Sequence, residues 1–109
     1  MALYMTQFSY TTDAWAALVK NPSDRSKAVA ALMEKVGGKL INMYYCFGDY
    51  DGVFIFEAPD DVSTTAGILA ALGPGHVKTI KTTKLLSVED TMAAMRKAAS
   101  ISYSAPSSS

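Results

Sequence analysis

Two aspartates and a tyrosine lie between glycines in the stretch GDYDG, residues 48–52, within the most apolar part of the chain. Asp51 precedes an apolar segment, where a desolvated carboxylate could act as a general base. Tyr50 is an aromatic residue at a loop tip, and turn geometry alone gives no reason for it. The alternative is a plain turn, because glycine supplies positive φ and aspartate bonds its own backbone. That alternative accounts for both glycines and Asp49, and it leaves Asp51 as a candidate catalytic residue and Tyr50 as a candidate ligand-binding residue.

The only histidine of the chain is His76, and imidazole suits proton transfer or haem ligation. We take it as the second candidate catalytic residue, although a lone histidine after the GPG turn at 73–75 is usually a polar residue at a strand start. The only cysteine, Cys46, lies in an apolar segment and is expected to be a buried, inert thiol. One histidine and one cysteine fall short of a zinc ligand set. We therefore expect no metal site and no cofactor.

The aromatic and methionine side chains outnumber the polar groups near them, which is typical of a ligand pocket. Trp15 is a candidate for the wall of such a pocket between sheet and helices, with Tyr4, Phe8 and Met5 or Met33 as neighbours. The alternative for Trp15 is ordinary core packing.

Two further residues are candidates for ligand binding. Tyr45 lies on a strand whose successive side chains point to opposite faces, so either it or Tyr44 can line a given cavity, but not both. Arg25 is in the first turn of a predicted helix, where a cation opposes the helix dipole. It either pairs with Asp24 or reaches an anionic ligand.

The chain has 109 residues, which suits one domain with a modest core. We expect that domain over residues 1–99, followed by a flexible tail over 100–109, whose serine-rich composition is typical of disorder. Half of the residues are hydrophobic, 18% are charged and the net charge is zero. Non-specific nucleic-acid binding requires a clustered positive field, so we expect no nucleic-acid partner.

Cysteine usage and hydropathy bear on location. A lone cysteine is typical of a reducing compartment. No apolar run approaches the roughly 20 residues needed to span a bilayer, and residues 1–10 lack the pattern of a signal peptide. We therefore expect a cytoplasmic protein without a membrane partner.

The spacing of apolar residues and breakers predicts four strands, over residues 2–10, 40–47, 53–57 and 76–86. It predicts four helices, over residues 13–19, 22–37, 61–72 and 88–99. The second helix should begin at the N-cap Asn21 and the third at Asp60 or Asp61. The fourth should begin at Ser87, which with Asp90 approximates a capping box. The third helix should bury one apolar stripe, formed by Val62, Ala66, Leu69 and Leu72.

This order predicts an α+β fold of the ferredoxin-like βαββαβ type, with an extra C-terminal helix. Right-handed crossovers place the two main helices on the same face of a four-stranded antiparallel sheet. The strands over 40–47 and 53–57 are apolar on both faces, so the second face needs a cover. A second copy in two-fold symmetry is the simplest cover, and we expect a homodimer or a higher homo-oligomer. The alternative is a C-terminal segment that folds back over the sheet.

Several motifs resemble the GYD-domain family over roughly residues 2–99. The most specific are Gly-Gly-Lys at 37–39, the G-x-Y-D of 48–51 and Glu-Ala-Pro-Asp at 57–60. The resemblance implies membership of the dimeric α+β-barrel superfamily, in which two ferredoxin-like subunits join their sheets. It implies little about activity, because more distant relatives include cofactor-independent monooxygenases, muconolactone isomerases, haem-dependent enzymes and amino-acid-sensing regulatory domains.

The leading hypothesis is a homodimer that binds a small apolar or aromatic molecule. In its enzymatic form the protein is a cofactor-independent oxygenase or isomerase, in which Asp51 or His76 moves a proton and Tyr45 or Tyr50 orients the ligand. The alternatives are a non-catalytic ligand-sensing or regulatory module and a purely structural assembly protein.

Overall fold

The computed structural model of the chain describes residues 1–106. It contains four strands: β1 (Ala2–Tyr10), β2 (Lys39–Tyr45), β3 (Gly52–Ala58) and β4 (Val77–Leu85). It contains four helices: α1 (Thr12–Lys20), α2 (Arg25–Lys35), α3 (Asp61–Leu72) and α4 (Val88–Ala98). Residues 107–109 of the predicted tail lie outside the described part.

The strands form one antiparallel sheet in the order β2-β3-β1-β4. This is the ferredoxin-like arrangement, so the predicted fold class is confirmed. β1 and β3 are central, and β2 and β4 are the two edges. In the register, Phe8 of β1 lies beside Gly52 of β3 on one side and Ile80 of β4 on the other. The central strand therefore brings the hairpin and the start of β4 to the same end of the sheet.

Each helix begins at a side chain that accepts a hydrogen bond from a backbone N–H of the first turn. The accepting residues are Thr11, Asp24, Asp60 and Ser87. The caps at Asp60 and Ser87 confirm the predicted starts of α3 and α4. The predicted N-cap Asn21 is wrong, because Asp24 Oδ1 accepts from the backbone N–H of Ser26 at 3.0 Å and α2 begins three residues later than its predicted start.

The packed core lies on the helix-covered face of the sheet, towards the start of β1. Its buried members are Tyr4, Met33, Phe56 and Ala58. The rings of Tyr4 and Phe56 stack with centroids 5.3 Å apart. The Tyr4 hydroxyl donates to Asp61 Oδ1 at 2.6 Å, which ties the first turn of α3 to the sheet.

That hydrogen bond bears on the orientation of α3, where one prediction is wrong. Val62 and Leu69 are exposed by 80% and 63%, whereas Thr64 and Gly67 are buried. The Thr64 hydroxyl donates to the Asp60 carbonyl oxygen, and Asp61 accepts from Tyr4. These bonds set the rotation of α3 about its own axis. The predicted stripe of Val62, Ala66 and Leu69 faces away from the core.

Two other surfaces have no partner within residues 1–106. No residue of α4 is buried, and Met92 and Met95 are exposed. The second face of the sheet carries Met5 beside Ile55 of β3, but β4 contributes the polar Thr83 in the same row. The second face of the sheet is therefore apolar only in part, because β4 places polar residues on it. Among residues 1–106, no helix has the length and apolarity to cross a bilayer.

Candidate functional site

A cavity of about 690 Å³ lies between the helix-covered face of the sheet and the helices α1, α2 and α3. The apolar walls are formed by side chains of the sheet and of α1 and α2: Phe8, Met43, Phe54, Ile80, Ala14, Ala17, Leu18, Val29 and Leu32. A ligand pocket for a small molecule is typically about 300–1,000 Å³ with mostly apolar walls. The cavity meets both conditions.

Small residues create this space. α1 presents Ala14 and Ala17 to the cavity, so the helix fills little of the volume between itself and the sheet. On the sheet, Gly52 has no side chain, and a Cβ there would lie 2.3 Å from Cζ of Phe8. The Phe8 ring therefore occupies the place of a side chain on β3. Gly52 is required for space, and of the two glycines predicted to supply positive φ, only Gly48 does so.

Beside the cavity lies an aromatic cluster formed by Phe8, Tyr10, Trp15 and Tyr45. Tyr10 is its centre: its ring lies 5.1 Å from Phe8, 5.2 Å from Trp15 and 6.3 Å from Tyr45. The hydroxyl groups of Tyr10 and Tyr45 are 3.3 Å apart. Because Tyr10 also lines the cavity, it connects the cluster to the cavity wall.

Asp51 holds the cluster in place. Its carboxylate oxygen Oδ2 accepts from the backbone N–H of Tyr10 at 2.9 Å and from the indole N–H of Trp15 at 3.0 Å. Its own backbone N–H donates to the carbonyl oxygen of Phe8 at 2.8 Å. One residue thus joins the β2–β3 hairpin to the end of β1 and to α1. Hydrogen bonds to an ionised acceptor are stronger than neutral ones, so Asp51 fixes the orientation of Trp15.

The environment of Tyr10 keeps its phenol protonated. Burial raises the pKa of Tyr10, and the adjacent Tyr45 phenol raises it further, whereas the positive charge of Arg25 opposes the shift. The net pKa lies above the ordinary value. Tyr10 is therefore a neutral hydrogen-bond donor at the cavity wall at neutral pH, with a guanidinium close to it.

The cavity rim is polar and its charges have one sign. The ionisable rim residues with a basic side chain are Lys20, Arg25 and His76, and none of the described lining residues is an aspartate or glutamate. All three side chains are exposed. The chain as a whole carries ten acidic and ten basic residues, so the rim departs from the balance of the whole surface.

The residues predicted as sites fall into three places. Arg25 and His76 line the cavity, whereas Trp15, Tyr45 and Asp51 lie in and beside the aromatic cluster. Tyr50 is in neither group, and its described contact is its carbonyl oxygen, which accepts from the Cys46 thiol at 3.3 Å.

Trp15 packs against Tyr10 and Tyr45, and the expected neighbours Tyr4 and Met33 belong to the packed core instead. The sequence reasoning missed Tyr10. Its signal was the alternation along β1, where Tyr4, Phe8 and Tyr10 share one face.

Cys46 differs from its prediction because it is exposed. β2 ends at Tyr45, so Cys46 lies in the turn, where its backbone N–H donates to the Asp51 carbonyl oxygen at 2.8 Å. Within residues 1–106, no group of three histidine, cysteine, aspartate or glutamate side chains is placed to hold a metal ion.

Comparison with known proteins gives a family and a fold. The family model of the GYD domain matches residues 4–95. A Thermus thermophilus protein named glutamine synthetase and cystathionine beta-lyase binding protein is 31% identical over 97 residues, which cover 88% of this chain and 100% of that protein.

Two solved structures share the fold at low identity. FFRP-DM1 has a TM-score of 0.56 at 11% identity, with 79% of this chain and 100% of that chain covered. MtbAldR has a TM-score of 0.55 at 12% identity, with 79% of this chain covered, and the match spans about half (52%) of that longer chain. The match over residues 4–95 and the 31% identical relative agree with the G-x-Y-D motif at 48–51, and the chain belongs to the GYD-domain family.

Proposed function

We propose that the protein is a non-catalytic, ligand-binding regulatory module that works as a homodimer and binds a small apolar or aromatic molecule between its sheet and its helices. The observation that carries the proposal is the cavity of about 690 Å³ with apolar walls from both the sheet and the helices. A core packed for stability alone leaves few spaces larger than a water molecule, whereas this space is large, open at its rim and lined by apolar side chains.

The bonding of Asp51 favours binding over catalysis. Its carboxylate already accepts from the Tyr10 backbone and the Trp15 indole, and the residue is not among those that line the cavity. A general base must reach the proton that it removes. Asp51 is better suited to position the aromatic cluster than to act on a ligand.

An oxygenase or isomerase is the second candidate, and His76 favours it. This imidazole lies on the cavity rim, within reach of a bound molecule. In that case His76 alone moves the proton, and Tyr10 and Tyr45 orient the substrate. Turnover that His76→Gln abolishes, with binding retained, would select this candidate over the regulatory module.

A regulatory role also fits the partner surfaces. The Thermus thermophilus relative is named for binding two enzymes. This chain exposes Val62 and Leu69 on α3 and Met92 and Met95 on α4, which are apolar side chains of the kind found at protein interfaces. The second sheet face, with Met5 beside Ile55, supports the dimer. We propose that a ligand in the cavity alters the contacts that these surfaces make.

The test is native mass spectrometry of protein purified from its own host, because it reports subunit number and retained ligand together. The variant Ala17→Trp places a large side chain on the cavity wall, and Ala16→Trp makes the same change one residue away, at an exposed position outside the wall. We expect a dimer with an added small-molecule mass in the natural protein and in Ala16→Trp, and a dimer without it in Ala17→Trp.

Three results would contradict the proposal. A protein that is monomeric at micromolar concentration contradicts the proposed homodimer. An added mass that Ala17→Trp and Ala16→Trp retain equally places the ligand elsewhere. A natural protein that carries no ligand, and that takes up no apolar or aromatic probe, leaves only the structural assembly role.

A further inference from the structure

The charges around the cavity restrict the ligand that it can hold. The positively charged Lys20 and Arg25 lie on the rim, and the described lining residues include no carboxylate to balance them. A concave surface of one sign attracts the opposite charge, because low-dielectric walls focus the field. The rim therefore favours an anion over a neutral or cationic group.

Arg25 is free to bind that anion. Asp24, the obvious partner, uses Oδ1 to accept from both the backbone N–H and the hydroxyl of Ser26. Within residues 1–106 the ion pair that the structure shows joins Lys84 to Asp61, so it does not involve Arg25. A guanidinium carries five N–H donors, so Arg25 at the open rim can contact the Tyr10 hydroxyl and still offer paired donors to a planar acceptor such as a carboxylate.

Tyr10 adds a second donor at the same place. Its hydroxyl is 3.3 Å from that of Tyr45, and the Arg25 charge acts on it. Because burial raises the pKa of the Tyr10 phenol, this hydroxyl carries its proton at neutral pH and does not repel an anion. A guanidinium and a phenol thus meet at the boundary between the charged rim and the apolar walls.

We propose that the cavity binds an amphipathic monocarboxylate without an ammonium group, such as an aromatic or branched aliphatic acid. The carboxylate lies at Arg25 and Tyr10, and the hydrocarbon part lies between Phe54, Ile80 and Leu32. Free amino acids are excluded, because an ammonium group near the carboxylate would meet the basic rim and no acidic side chain of the lining. The inference rests on the proposed function, since it assumes that the cavity is a ligand site.

The test compares three probes of similar size by isothermal titration calorimetry at neutral pH. 4-Phenylbutyrate has the proposed charge, 4-phenylbutanamide replaces the carboxylate with a neutral amide, and phenylalanine carries an ammonium group on a chain that is one methylene shorter. We expect the acid to bind at least about tenfold more tightly than the amide or phenylalanine, which is the contribution of a charge-assisted hydrogen bond.

Matched variants locate the charge effect. Arg25→Gln removes the guanidinium, and Lys27→Gln removes an exposed positive charge of the same helix that is not part of the lining. We expect Arg25→Gln to weaken binding of 4-phenylbutyrate about tenfold and to leave the amide unchanged, whereas Lys27→Gln changes neither. An unchanged circular dichroism spectrum controls for folding.

Each contrary result is informative. Equal affinity for acid and amide overturns the carboxylate inference while the ligand site stands. Equal losses of affinity for 4-phenylbutyrate in Arg25→Gln and Lys27→Gln would mean that any positive charge on the helix attracts the acid. That result overturns the assignment to Arg25. Phenylalanine that binds as tightly as 4-phenylbutyrate overturns the exclusion of amino acids. If neither the acid nor the amide binds, the inference fails, and the added mass in Ala16→Trp and Ala17→Trp decides separately whether the cavity is a ligand site.

Discussion

Two tyrosines of β1 lie on the same face of the sheet, six residues apart, in opposite surroundings. Tyr4 is 3% exposed, stacks on Phe56 and belongs to the packed core, which we call the core end. Tyr10 borders the cavity and the aromatic cluster, which we call the cavity end. One strand therefore supplies stability at its start and a binding surface at its end.

The difference comes from the helices above each end. At the core end, the Met33 side chain fills the space between the sheet and α3, where Gly67 lies within van der Waals reach of it. At the cavity end, α1 presents the small Ala14 and Ala17 beside Leu18 to the space above the sheet. The two ends of β1 therefore differ because the facing helices present side chains of different size. Large side chains make one end part of the packed core, and small ones leave the other end as a cavity wall.

The largest expected effect is on stability, and it concerns two phenylalanines of β3, one at each end. Phe56 is 2% exposed and stacks on Tyr4, whereas Phe54 is only partly buried and lines the cavity. We expect Phe56→Ala to lower the free energy of unfolding by about 3–5 kcal/mol. Phe54→Ala should cost only about 1–2 kcal/mol, because part of the space around its ring is already empty. Urea denaturation followed by circular dichroism measures both.

Similar losses of the free energy of unfolding at the two positions would show that the cavity end is packed as tightly as the core end. A variant of Phe56 that does not fold still supports the order of the two effects, provided that Phe54→Ala folds.

An intermediate effect is expected at Asp51, which anchors the cavity end. Asp51→Ala removes the acceptor for the Tyr10 backbone and the Trp15 indole. We expect a loss of about 1–2 kcal/mol, because these hydrogen bonds are charge-assisted but partly exposed. Trp15 is the only tryptophan, so its fluorescence emission should shift as the indole N–H loses its partner.

Asp49→Ala is the matched control, because Asp49 is an exposed carboxylate in the same hairpin. We expect it to change the stability by less than about 0.5 kcal/mol and to leave the emission unchanged. A shift of equal size in both variants would mean that loss of hairpin charge, rather than the Asp51 hydrogen bonds, controls Trp15.

The sequence predicted the fold well where local chemistry decides the structure. The caps at Asp60 and Ser87 follow from side chains that bond backbone within three residues, and the hairpin follows from the glycines around residues 48–52. The orientation of α3 could not be predicted in this way, because it depends on the hydrogen bond between Tyr4 and Asp61, which are 57 residues apart.

In the candidate site, too, features that depend on residue type were predicted, whereas features that depend on distant contacts were missed. Arg25 and His76 were predicted from residue type, and both line the cavity. Tyr10 was missed, because its importance depends on Tyr45, which lies 35 residues away. The cavity itself depends on the small size of Ala14 and Ala17, and hydrophobic periodicity does not report empty volume.

The smallest expected effect separates the two tyrosine hydroxyls by their dependence on pH. The hydroxyl of Tyr4, and less strongly the charge of Lys84, lower the pKa of the Asp61 carboxyl below its ordinary value of 3.8. A lowered pKa in the folded state means that the bond stabilises the fold above pH 3.8, and that this contribution is lost as the pH falls through the folded pKa. Tyr4→Phe should therefore unfold at a lower urea concentration than the natural protein at pH 7, and the gap should narrow as the pH falls below 3.8. Tyr10→Phe, whose hydroxyl meets Tyr45 and no carboxylate, should show a difference that does not vary over this range. A Tyr4→Phe gap that stays unchanged as the pH falls below 3.8 would show that the hydroxyl acts at the core end without the Asp61 charge, and the two ends would then differ in packing alone.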